Sequence, residues 1–141
     1  MPNTIGAPVQ IQWLGRLDKY GESTNGSITQ VVLIAAFQVV AIPDASSQNQ
    51  GNLIKITDFA ACVDSGGVNS RFYIQKSTDG NNWTTIARIT LPVAGNYHRT
   101  YSKPKFVTAG QYCRVIMKQG TAAGASVELT GETAQSDVVD I

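Results

Sequence analysis

Apolar and polar side chains alternate on both sides of a short polar turn in Arg71 to Leu91, RFYIQKSTDGNNWTTIARITL. Phe72 and Ile74 fall on one side, with Tyr73 and Gln75 on the other. After the turn, Ala87, Ile89 and Leu91 alternate with Arg88 and Thr90, which is the period of two of a half-buried strand. Asp79-Gly80 supplies the turn: glycine takes positive φ without a Cβ clash, and Asp79, Asn81 and Asn82 can bond nearby backbone groups. The pattern predicts a β-hairpin.

The same reading extends along the chain. Val31 to Ile42 is long enough for a helix, but six of its residues are β-branched and Pro43 ends it, so it is expected as one long bent strand or two. In Asn52 to Asp64 the alternation places Ile54, Ile56, Ala60 and Cys62 on one face, with Asp58 as the exception. SGGVNS (65–70) and PVAGN (92–96) read as turns, and Tyr97 to Ser102 as a strand. Pro104 marks an edge or a bulge, because proline cannot donate to a ladder. Gln111 to Gln119 places Cys113, Val115 and Met117 on one side and Arg114, Ile116 and Lys118 on the other. Ala125 to Gly131 follows a turn at 120–124. About eight strands with no amphipathic helix predict an all-β chain, a single antiparallel β-sandwich of jelly-roll or other Greek-key topology. The expected division is an N-terminal arm (1–27), a sandwich (28–134) and a tail (135–141). Within the arm, Trp13 and Leu14 form an apolar island that could dock on a neighbouring subunit by adding to a sheet edge, or could belong to a frayed terminus.

Composition narrows the function classes. The chain has 141 residues, 15% charged residues and a net charge of +1. That charge is too low for a dedicated nucleic-acid or membrane-surface protein. Ser, Thr, Asn and Gln together number 41, a bias that suits β-structure and adhesive surfaces. No apolar run is long enough to span a bilayer, and positions 1 to 25 lack an apolar signal core, which predicts a chain made without a cleaved leader. The two cysteines, Cys62 and Cys113, read as small buried hydrophobes, with a disulfide between strands as the alternative.

Catalytic and cofactor chemistry finds little to build on. His98 is the single histidine and no nucleophile-elbow motif accompanies it. The acids are scattered, Asp79 to Asn82 lacks the spacing of a calcium loop, and Gly66-Gly67 is not followed by a helix. The expectation is no enzyme, no catalytic residues, no metal and no cofactor. Two surface constellations remain. Tyr97, Arg99, Tyr101, Lys103 and Lys105 would share a face if their strand ran through Pro104, and interleaved rings and cations suit a protein interface or stacked sugars. Trp83, after the turn, could cover the sandwich end or, with Tyr97 and Tyr101, stack a glycan.

The segments STDGNNWTTIARI and PKFVTAGQYCRVIMKQGTAAGASVELTGE resemble small β-sandwich, jelly-roll-like virion proteins of tailed bacteriophages, such as capsid decoration and head-fibre subunits. The resemblance spans residues 28 to 134. It implies a non-enzymatic virion structural protein that self-associates, as a homotrimer, and binds the major capsid protein on the outer capsid surface. Such a protein would be made in the host cytoplasm and would reside on the virion surface. The partner contacts expected are Trp13, Leu14, Tyr97, Arg99 and Tyr101. The alternative is a carbohydrate-binding sandwich module using Trp83, Tyr97 and Tyr101.

Overall fold

The hairpin at Arg71 to Leu91 forms, as the tip of a much longer one. In the computed structural model, which describes residues 15–23, 28–41, 53–120, 124–134 and 136–140, β3 (Leu53–Ser77) and β4 (Thr84–Thr108) pair antiparallel from Lys76 opposite Thr84 back to Leu53 opposite Thr108. Ser77 and Asp79 shape the tip. Asp79 Oδ1 accepts the amides of Asn81 and Asn82 at 2.8 Å each, and the Ser77 hydroxyl accepts the Gly80 amide at 2.9 Å. These bonds to the charged form hold the Asp79 carboxyl well below its ordinary value. Gly80 has φ 81°, as the turn chemistry requires.

The other strands are β1 (Gly15–Ser23), β2 (Ile28–Ala41), β5 (Tyr112–Gly120), β6 (Ala125–Ala134) and β7 (Ser136–Asp140), all antiparallel to their neighbours. On the side of β3 away from β4, residues 53–63 pair with β6 and residues 71–77 pair with β5. The long hairpin therefore passes from one sheet into another. The first sheet runs β1, β6, first half of β3, second half of β4. The second runs β7, β2, β5, second half of β3, first half of β4. Counting each long strand as two, the first strand pairs with the eighth, the second with the seventh, the third with the sixth and the fourth with the fifth, which is a hairpin rolled into a jelly roll. One apolar core joins the inner faces, with Phe59, Ile54 and Leu129 from the first sheet and Phe37, Phe72 and Met117 from the second fully buried.

Three sequence expectations change here. SGGVNS and PVAGN are corners within β3 and β4, not reversals. The ladder shifts register between Val63 and Val68, with Asn69 at φ 53° and Gly95 at φ 149° absorbing the bend. Residues 15–23, read as arm, form β1, and 136–140, read as tail, form β7; Lys19 Nζ of β1 meets Asp140 Oδ1 of β7 at 2.7 Å across the sheets. The third change concerns phase. β3 carries an irregularity between Ile56 and Asp58, so that Ile54 and Ile56 face the core, but after Thr57 it is Phe59, Ala61 and Val63 that do. One extra residue moves every later side chain to the opposite face. Ala60 and Cys62 thus lie on the outer face with Asp58, and not with Ile54 and Ile56.

Both cysteines are free. Burial pushes the Cys113 thiol up to about 12, whereas Cys62 is only half-buried. At pH 8 a native sample is expected to react with a thiol reagent once per chain, at Cys62, with Cys113 reacting only after denaturation. Rapid modification of Cys113 in the folded protein would contradict this packing.

Candidate functional site

The phase shift at Thr57 builds the outer face of the first sheet. Three transverse rows follow from the register: Asp18, Thr130, Asp58 and Thr100; Tyr20, Glu128, Ala60 and His98; and Glu22, Ser126, Cys62 and Asn96. In the first row Asp58 is the hub. Its Oδ1 accepts the Thr100 hydroxyl at 2.8 Å and contacts His98 Nε2 at 3.0 Å, and its Oδ2 accepts the Thr57 hydroxyl at 2.8 Å. The Thr100 and Thr57 hydroxyls, with a smaller contribution from His98, hold the Asp58 carboxyl below its ordinary 3.8. Stabilisation by this network is therefore present above pH 3.8 and is lost as acid protonates Asp58. On the neighbouring strands Glu128 is raised above its ordinary 4.5, because Asp18 shares a hydrogen bond with it and repels its charge.

Ala60 makes the middle row low. A groove of about 510 Å³ lies over it, lined by Tyr20, Asn96, Tyr97, His98, Ser126 and Glu128, among others. The His98 side chain is 61% exposed on its wall. The hydroxyl nearest in this network, on Thr100, gives its proton to Asp58 and not to His98, so the pair has no activated nucleophile in it. Among the described residues no group of three or more His, Cys, Asp and Glu side chains could hold a metal ion, and no helix is long and apolar enough to cross a membrane.

The sequence-predicted site residues are only partly brought together. Trp13 and Leu14 lie outside the described residues. Tyr97 and Arg99 are exposed on the second half of β4 and flank a second, smaller depression with Arg88 and Thr90. Between Thr100 and Lys105, β4 carries residues 101–104 opposite Thr57 alone, the bulge expected around Pro104. It breaks the single face drawn from Tyr97 to Lys105. Tyr101 instead packs on the core, its ring flanked by Arg99 at 6.0 Å and Lys105 at 5.5 Å, with its hydroxyl buried and without a hydrogen-bond partner among the described residues.

Trp83 does not join Tyr97 and Tyr101. It sits at the hairpin tip beside Thr84, which pairs with Lys76 in the second sheet, whereas Tyr97 pairs with Ala61 in the first. The Arg114 guanidinium lies 4.3 Å from the Trp83 ring centre and donates to Gln75 Oε1 at 2.9 Å, which occupies one face of the indole. The residues that shape the groove and were missed, Tyr20, Ala60, Ser126 and Glu128, come from three strands distant in sequence. No local signal marks them.

No protein-family profile matches the chain, and no curated protein sequence matches it. Among solved structures it is similar to the Yersinia pseudotuberculosis-derived mitogen at 11% identity and a TM-score of 0.35, over 84% of this chain and 85% of that one. It is similar to a carbohydrate-binding module of a glycoside hydrolase family 9 protein (Cel9A) from Ruminococcus flavefaciens FD-1 at 10% identity and 0.33, over 81% and 98%. Likeness to the decameric BFDV capsid protein stands at 12% identity and 0.34, over 88% and 99%. The strand pairing, and not these likenesses, carries the fold assignment.

Proposed function

We propose that the chain is a non-enzymatic virion structural subunit that self-associates, as a trimer, and binds the outer surface of a capsid in a decoration or head-fibre role. Its location would be the virion surface after synthesis in a host cytoplasm. The observation that carries the proposal is the free edge of β4. This strand pairs with β3 along its length and with no other strand among the described residues, so both sheets end on it. Val93 is 67% exposed there, Tyr97 43% and Phe106 44%. A long unpaired edge carrying apolar side chains is a template for another chain, and a second copy supplies a matching edge. Pro92 and Pro104 interrupt it, which limits open-ended stacking and favours a closed assembly.

Light scattering after size exclusion tests this. The native chain is expected to elute as an oligomer and to co-sediment with phage capsids. Val93→Lys/Phe106→Lys is expected to elute as a monomer with an unchanged circular dichroism spectrum. A native chain that stays monomeric at its solubility limit and leaves capsids in the pellet alone would end the proposal.

A further inference from the structure

We infer that the groove over Ala60 is a binding site for a neutral oligosaccharide, with Tyr20 as the ring platform and Asn96, His98, Ser126 and Glu128 as partners for sugar hydroxyls. Its volume of about 510 Å³ falls in the range of roughly 300–1,000 Å³ typical of small-ligand sites. Tyr20 is 61% exposed, so aromatic surface is offered to solvent at the rim of a concave surface instead of being spent on the core. Amphipathic rings of this kind bind one apolar and one polar face of the same ligand.

The chemistry of the walls selects the ligand class. Asn96, Ser126 and His98 offer both donors and acceptors, and Glu128 accepts, which matches hydroxyls that do both. Acids outnumber cations around the groove: Asp18, Glu22, Asp58, Glu128 and Glu132 lie on the same face, against Arg16 and Lys55. Phosphate, sulfate and acidic sugars are therefore disfavoured. A single organic cation fits poorly too. Tyr20 and His98 stand three strands apart, about 14 Å at the usual strand spacing, whereas a cation must sit within about 6 Å of the ring that holds it and so leaves Asn96 and His98 unused. An extended chain of neutral rings stacks on Tyr20 and spans that distance to Asn96 and His98. Ala60 is essential to the shape, because any larger side chain at its position would fill the floor.

The test uses the full chain and soluble neutral oligosaccharides (cello-, xylo-, manno- and chito-hexaose) with a glycan array. Binding is expected for at least one neutral glycan, with amide shifts in nuclear magnetic resonance centred on Tyr20, Ala60, Asn96, His98 and Glu128, and with slowed thiol modification at Cys62, which also lines the groove. Tyr20→Ala and Ala60→Leu are each expected to weaken binding about tenfold or more. Both positions face away from the core, and Glu128→Gln, which keeps the shape, provides a further variant should either fail to fold. Binding of no neutral glycan, binding of only acidic or amine ligands, or shifts gathered at Trp83 would each overturn the inference. None of these variants lies on β4, so their result and the assembly measurement are read independently.

Discussion

Replacing Phe59 by alanine is expected to remove about 3–5 kcal/mol of stability, a large fraction of the roughly 5–15 kcal/mol typical of a domain. Phe59 is fully buried, opposite Leu129 of β6, and belongs to the core that joins both sheets. Truncation leaves a cavity that a two-layer fold closes only by moving a sheet. It also removes the side chain that fixes the phase of β3 after Thr57. Asp58 and Ala60 then lose their reason to face outward together. Urea unfolding followed by circular dichroism measures the loss, and Ala60→Gly serves as the outer-face control. A midpoint shift worth less than about 1 kcal/mol for Phe59→Ala would show that the core is packed differently.

Gly131→Ala is expected to cost about 1–3 kcal/mol, toward the upper end, although it adds a single methyl group. Gly131 sits in β6 between Leu17 of β1 and Ile56 of β3, and a Cβ there would overlap the Lys55 carbonyl. The close approach lies next to the Thr57 irregularity in the β3–β6 ladder. Because the obstacle is backbone, relief requires the two strands to separate and breaks the ladder that carries the groove. Calorimetry on the variant reads this directly. Gly110→Ala, at a position with φ 92° but with nothing within 4 Å of an added Cβ, separates strain in the chain from collision between strands. Equal losses at both positions would exclude the collision as the cause.

Much of the fold was legible locally. The tip hairpin could be read because alternation, Asp79 and Gly80 all act within a few residues. Pro104 announced its bulge for the same reason, and Cys113, Val115 and Met117, grouped on one side by alternation, are all buried in the core. Ile116 shows where alternation stops informing. It is fully buried on the other face, next to Tyr73 and Val32 of the flanking strands, because outer-face neighbours can cover an apolar side chain as well as a core can. The corners at 65–70 and 92–96 carry the chemistry of turns, yet the chain continues forward. Glycine and asparagine permit a sharp bend in either case, and only the partner strands decide whether it reverses.

By itself, the sequence determined that this is an all-β chain of short-range alternating strands, with a hairpin at Arg71 to Leu91 and without the charge of a polyanion binder. Those are consequences of period, turn residues and composition, which need no distant contact. The tertiary structure decided that β3 and β4 each serve two sheets, that residues 15–23 and 136–140 are strands, and that Thr57 shifts the phase bringing Asp58 and Ala60 to the outer face. It alone gathered Tyr20, Ala60, His98 and Glu128 from four strands around one groove and left β4 as the shared edge. The physical reason is that strand order and register are set by pairing between segments far apart in the chain, and a one-residue irregularity in that pairing changes which face every following side chain presents.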